Sequence, residues 1–192
     1  MVKKVLCLIG KTASGKDTAA KYLKEAYGIE PVVSFTTRPM RENETDGVEH
    51  WFIDDAKMDE IMKDEAGVLA YTQFPKTGIR YCASMSMMSG DDEVISYIID
   101  PPGVNWMKEH KSNVETIAIM FDLDESIILE RAKGRKDKLE DVMRRLDSER
   151  EIFDDYKESK AYDCLIDTSV SKEEVMRQID EFMRKCDINP LS

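Results

Sequence analysis

Gly10-Lys11-Thr12-Ala13-Ser14-Gly15-Lys16-Asp17-Thr18 follows directly on the apolar run Val5-Leu6-Cys7-Leu8-Ile9. A short apolar strand feeding a Gly-bounded loop, then Gly-Lys, then a helix is an arrangement that binds phosphate. Glycines let successive backbone N–H groups turn inward, the lysine reaches the outer phosphates, and the helix N-terminus adds the positive end of its dipole. The spacing from Gly10 to Gly15-Lys16 fits G-x-x-x-x-G-K. It marks Gly10, Ala13, Ser14, Gly15, Lys16, Asp17 and Thr18 as candidates for holding a nucleotide's phosphates. Asp17 stands where a serine or threonine hydroxyl would face magnesium. A carboxylate is also a hard oxygen donor, so Asp17 is the candidate magnesium ligand, with the Thr18 hydroxyl as the alternative.

Outward from this loop, the chain of 192 residues is long enough for one domain with inserted lobes. Its net charge of −11 argues against a duplex nucleic-acid binder, which needs a basic face. No charge-free apolar stretch approaches the ~20 residues that span a membrane. The start of the chain lacks a signal-peptide pattern, which makes the cytoplasm the default compartment. Cys7, Cys82, Cys164 and Cys186 are scattered without a C-x-x-C pair, and Cys7 reads as a small buried hydrophobe.

Apolar runs alternating with helical patterns predict βαβ units and a parallel sheet flanked by helices. Strands are expected at 2–9, 31–35, 94–100, 116–121 and about 165–167. Helices are expected over 18–27, 56–65, 126–132, 139–156 and 171–184, the last opened by a Ser171/Glu174 capping box. Between about 48 and 83 the pattern shifts to short runs broken by Asp, Gly and Pro-Lys-Thr-Gly, which predicts a small, largely antiparallel inserted sheet.

The second constellation is Val33-Ser34-Phe35-Thr36-Thr37-Arg38-Pro39-Met40-Arg41, followed by Asp46-Gly47 and His50-Trp51-Phe52. Arg38 and Arg41 can converge on one phosphate through bidentate hydrogen bonds, with the Ser34 hydroxyl beside them. The other reading is two loop arginines paired with Glu42, Glu44 or Asp46. A phosphate-binding loop and a second phosphate patch together point to phosphoryl transfer between two ligands.

These segments resemble the guanylate kinase family, and the resemblance runs from about Lys3 to Arg184. Its most specific part is Ser34-Phe35-Thr36-Thr37-Arg38-Pro39-Met40-Arg41 with Asp46-Gly47. Tyr81, Asp100-Pro101-Pro102-Gly103-Val104, Arg131, Gly134-Arg135 and Arg145-Leu146 also match. The resemblance implies a single domain with a core at about 1–33 and 84–192, a monophosphate-binding lobe at about 34–83 and a short helical lid at about 131–146. It implies ATP with Mg2+ as phosphoryl donor and a nucleoside monophosphate as acceptor. Ser34, Arg38, Arg41, His50 and Tyr81 would hold the acceptor phosphate, and Lys16 the donor phosphates. Arg131, Arg135 and Arg145 would close over the transferring group, though on residue pattern alone they equally suit a solvated helical face. No membrane or nucleic-acid partner is implied, and the chain would act as a monomer or homodimer.

The departures concern the base. Ala70 and Ile98 stand where the family places guanine-reading carboxylates, Ala83 replaces a hydroxyl, and two extra residues lengthen the hairpin at 75–78. Asp100 remains, either as a ligand-facing carboxylate or as a helix cap before Pro101-Pro102. Gln73, Tyr71 and Ser84 are the polar groups left to read a base. Two alternatives follow: a non-catalytic guanylate-kinase-like binding module, or a kinase for a non-nucleotide phosphorylated small molecule.

Overall fold

A computed structural model of the protein describes residues 3–42, 44–88, 93–134 and 138–191. The apolar run quoted first becomes a strand, Lys3–Ile9 (β1), and Val5 through Ile9 are wholly buried. That is possible only for a central strand covered on both faces. Alternate side chains divide between two layers. Val5, Cys7 and Ile9 pack with Val104 and Met107 of the helix Pro101–His110 (α3) and with Phe153 and Tyr156 of the helix Leu139–Ser159 (α5). Leu6 and Leu8 face the other way, onto Ala19 and Leu23 of the helix Lys16–Tyr27 (α1) and Ile179 and Met183 of the helix Lys172–Lys185 (α6). Each such buried aliphatic side chain is worth about 1.5–3 kcal/mol relative to exposure.

β1 pairs in parallel with Val94–Ile98 (β6) and Val114–Asp122 (β7), and β7 pairs with Cys164–Asp167 (β8), so the sheet order is β6-β1-β7-β8. The second sheet is built from Phe35–Thr36 (β2), Trp51–Phe52 (β3), Val68–Gln73 (β4) and Arg80–Ser84 (β5), in the order β3-β2-β5-β4. Only the short β2–β3 pair is parallel there. The helix Asp55–Met62 (α2) covers it through buried Met58. Leu69 and Ala70 of β4 join the α3 side of the main core, which ties the small sheet to the large one. The helix Glu125–Gly134 (α4) precedes α5, and Arg135 of the intervening segment lies outside the described residues.

Two expectations change. The strand expected at 31–35 does not form as one piece. Pro31 makes a single bridge to Ser96, Val32 N–H donates to the Ser96 carbonyl at 2.8 Å, and only Phe35 enters a strand, in the other sheet. Proline has no N–H for a ladder, so the segment skirts the sheet edge and then crosses to the lobe. The second change is α3, a helix begun by two prolines. Their missing N–H groups cost nothing in a first turn, and the Asp100 carboxylate caps it by accepting the Gly103 N–H at 2.8 Å.

Candidate active site

Strand β1 ends at Gly10, where the chain must turn sharply under β7. A Cβ at Gly10 would stand 2.6 Å from both the Phe121 carbonyl oxygen and Ser14 Oγ, so only glycine fits. Gly15 adopts φ 98° as N-cap of α1, a left-handed conformation favouring glycine, and Ala13 adopts φ 58° without that freedom. The loop thereby curls its backbone around the end of a cleft of about 440 Å3. Gly10, Thr12, Ala13, Lys16 and Asp17 line the cleft, while Ser14 is buried beneath the loop. Lys16 Nζ folds back on its own loop, donating to the Lys11 carbonyl at 2.7 Å and to Ser14 Oγ at 3.3 Å. Burial holds its pKa below the usual lysine value.

The far wall carries the arginines. Arg38, 7% exposed, lies 5.2 Å over the Phe52 ring and grips Glu44 through Nη1 and Nη2, both at 2.6 Å. Among the described residues its Nε–H has no hydrogen-bond partner. Arg41 donates its backbone N–H to Glu44 Oε2 at 2.9 Å and keeps 45% of its side chain exposed. Against the opposing effect of burial, these bonds pull the Glu44 pKa down to about 2. Ser34 Oγ and His50 Nδ1 meet at 3.0 Å, and His50 packs edge-on against Tyr81. Burial and the Arg38 charge push the His50 pKa down to about 4, so the ring is neutral at pH 7.

Between the walls, Arg145 of α5 lines the cleft near Arg41, whose own pKa is lowered by burial and then by the Arg38 and Arg145 charges. Asp100 stands on the floor beside Ala70, Thr72, Tyr97 and Ile98. Burial raises its carboxyl to about 6, although the Gly103 N–H and the Thr72 side chain pull the other way. Lys16 of the loop and Arg38, Arg41 and Arg145 thus line a single cleft. The family model for guanylate kinase matches residues 2–186.

The chain belongs to the guanylate kinase family. A guanylate kinase of Thermobifida fusca is 39% identical over 80 residues, 41% of this chain and 39% of that relative. One from Helicobacter hepaticus is 27% identical over 138 residues, 69% of this chain and 66% of the relative. The aligned segments therefore span less than two thirds of these relatives. The crystal structure of guanylate kinase from Anaplasma phagocytophilum shares the fold, with a TM-score of 0.62 at 22% identity, covering 96% of this chain and 86% of that one.

Not every candidate residue lines the cleft. Arg131 points its Nη2 to the Thr168 carbonyl, 2.6 Å away, behind the loop after β8. Gln73 is exposed on the hairpin, donating to the Gly78 carbonyl at 3.4 Å. Thr18 is exposed on α1 and is not part of the lining. Conversely, the structure adds groups that the pattern reading did not single out: Tyr97, Phe74, Thr12 and above all Glu149, whose Oε2 accepts the Thr12 N–H at 2.6 Å. The signal for Glu149 was its place four residues after Arg145, on the same face of α5.

The donor set near Lys16 suits magnesium held together with phosphate oxygens. Asp17 and Glu149 offer hard oxygens in the cleft, and no group of three or more acidic, His or Cys side chains among the described residues forms a cage of its own. Among the described residues, no helix is long and apolar enough to cross a membrane.

Proposed function

We propose that the protein is a nucleoside monophosphate kinase, moving the γ-phosphoryl group of ATP to an acceptor monophosphate. The observation that carries this reading is that Lys16 with its loop and the side chains of Arg38, Arg41 and Arg145 line one cleft. Phosphoryl transfer leaves little covalent work to a protein, and positioning with charge stabilisation supplies most of the acceleration.

Lys16, released from the Lys11 carbonyl, binds the outer donor phosphates. Arg38 and Arg41 orient the acceptor phosphate, with Ser34, neutral His50 and Tyr81 completing its hydrogen bonds. Arg145 closes over the equatorial oxygens and, with the apolar wall at Val142 and Phe153, limits water that would otherwise hydrolyse ATP. The nucleophile is already an anionic phosphate oxygen, so no side chain need remove a proton. Magnesium bound with ATP would supply neutralisation of the donor's charge, and Asp17, with Glu149 in the same lining, would hold it.

GMP is the acceptor that the family suggests. The base end of this cleft, with Ala70 and Ile98 beside the single carboxylate Asp100, also suits other bases. The deciding experiment is a coupled ADP-release assay with ATP and magnesium across the common ribo- and deoxyribonucleoside monophosphates. Turnover dependent on a monophosphate supports the kinase. ATP binding without transfer to any of them points to a binding module, and transfer only to a non-nucleotide phosphate points to the second alternative.

A further inference from the structure

Glu149 puts a carboxylate inside the loop that is shaped to receive anions. Its Oε2 takes the Thr12 N–H at 2.6 Å, and Glu149, Lys16 and Arg145 line the same cleft. A carboxylate there is costly, because burial strips its water, and only part of that loss is returned by one amide hydrogen bond and neighbouring cations. In keeping with this, burial raises its pKa, against the Thr12 N–H and the Lys16, Arg145 and Arg41 charges.

The helix that carries this carboxylate is also tied to the loop. Helix α5 is fastened to the same loop one turn further on, where Lys11 Nζ meets Asp154 at 2.7 Å and Glu125 at 2.7 Å. Arg150, the neighbour of Glu149, binds Glu125 at 2.8 Å. A phosphate entering the loop therefore meets a carboxylate held at the Thr12 amide.

We infer that Glu149 is a specificity-determining residue of the donor site, placed so that the loop admits polyphosphate complexed with a divalent cation and rejects the metal-free anion. This rests on the donor-site reading above. Complexation cancels two negative charges on the donor, and a cation lying between phosphate and carboxylate turns the contact from repulsion to attraction. At a partly buried site with an effective dielectric constant of about 20, one unit-charge contact is large enough to shift affinity tenfold or more.

The test is the dissociation constant of ATP measured by calorimetry, once with excess EDTA and once with excess magnesium, for the wild type, Glu149→Gln and Glu149→Ala. Glu149→Gln keeps an oxygen to accept the Thr12 N–H and removes only the charge. In the wild type the magnesium complex is expected to bind much more tightly than metal-free ATP. In both variants the ratio of the two constants should narrow about tenfold or more, chiefly because metal-free ATP binds better. An unchanged ratio in Glu149→Gln overturns the inference. So does narrowing in Glu149→Ala alone, which would make the effect one of space rather than charge. If Glu149→Ala fails to fold, the Glu149→Gln ratio decides by itself. A wild type that binds neither form overturns the donor-site reading, and the inference with it.

Discussion

Two residues of the cleft, Lys16 and Asp100, carry charge where burial resists it, and both are held by the backbone. Lys16 Nζ donates to the Lys11 carbonyl and Ser14 Oγ, which offsets part of the desolvation that lowers its pKa, and those bonds can be exchanged for phosphate oxygens. Lys16→Met keeps the apolar stem and loses the charge. It should leave the melting temperature nearly unchanged and lower the turnover number by ~10²-fold or more, as removal of a preorganised charge contact does. Near wild-type turnover would remove Lys16 from the donor site. Asp100 behaves oppositely. Its pKa moves from an ordinary 3.8 to about 6 on folding. The folded state therefore holds the proton more tightly, and stability falls as pH rises from about 3.8 through 6 and stays low above it. Asp100→Asn preserves the cap on Gly103 and should raise stability at pH 7 by roughly 1–2 kcal/mol. If ionised Asp100 accepts from the base, the wild-type kcat/KM should rise with pH through about 6, and the variant should lose that rise. A pH profile unaltered by Asp100→Asn would confine Asp100 to capping α3.

At the scale of elements, the loop between β2 and β3 combines a structural and a binding task in two arginines that differ in burial. Arg38 forms a buried, bidentate pair with Glu44, whereas Arg41 is nearly half exposed. Arg41→Ala should weaken use of the monophosphate by about 2–3 kcal/mol in kcat/KM and spare both ATP affinity and stability. Arg38→Ala should do the same to the acceptor and also destabilise the fold by about 3 kcal/mol, because it strands the Glu44 carboxylate. Equal losses toward ATP and acceptor in Arg41→Ala would assign Arg41 elsewhere. The sequence left these arginines two readings, a phosphate patch or loop pairs with Glu42, Glu44 or Asp46. The structure pairs both with Glu44 and also sets both on the cleft wall, because which acid a loop arginine meets is decided by the fold of the loop and not by spacing. β1 and α1 were legible, from a continuous apolar run and from Gly15 and Gly28 at the helix ends. Helix α3 was not, because Pro101-Pro102-Gly103 has the composition of a turn, and only the three-dimensional cap by Asp100 makes those prolines a first helical turn. Glu149 was hidden among the many acids of α5. Periodicity places it on the Arg145 face, but nothing in the pattern says that this face meets the Thr12 amide. Arg131 shows the converse, a lid-like arginine by spacing that the fold directs to the Thr168 carbonyl.

Across the whole molecule, the cleft lies where the two sheets meet, so the donor and acceptor ends are built by different parts of the chain. The donor end comes from the loop after β1 and from α5. The proposed acceptor end comes from the small sheet, with Asp100 after β6 lining the same cleft. On the proposed function, base selection would depend on both sheets at once: β4 supplies Ala70, Tyr71 and Thr72 to the lining, and the strand-to-helix junction supplies Ile98 and Asp100. The Ala70 side chain is 1% exposed and cannot accept a hydrogen bond, so on the proposed reading the polar side chains near that end are the Asp100 carboxylate and the Thr72, Tyr71 and Tyr97 hydroxyls. A site that hydrogen-bonds a base fully can reject analogues by 10⁴-fold or so, while a site with few polar readers discriminates by ~10²-fold at best. GMP is accordingly expected to lack a dominant advantage, with kcat/KM values for several monophosphates lying within about 10²-fold of one another, or with a base other than guanine ahead. A GMP advantage of ~10³-fold or more over every other monophosphate would amount to about 4 kcal/mol of base recognition and would contradict this account. Ala70→Glu is the complementary measurement. If β4 and Asp100 frame one base, a second carboxylate at position 70 should raise GMP use relative to the other monophosphates by about tenfold, at some loss of stability from the added buried charge. No change in that ratio would mean that the base lies elsewhere in the cleft, nearer Phe74 and Tyr81 than the end of β6.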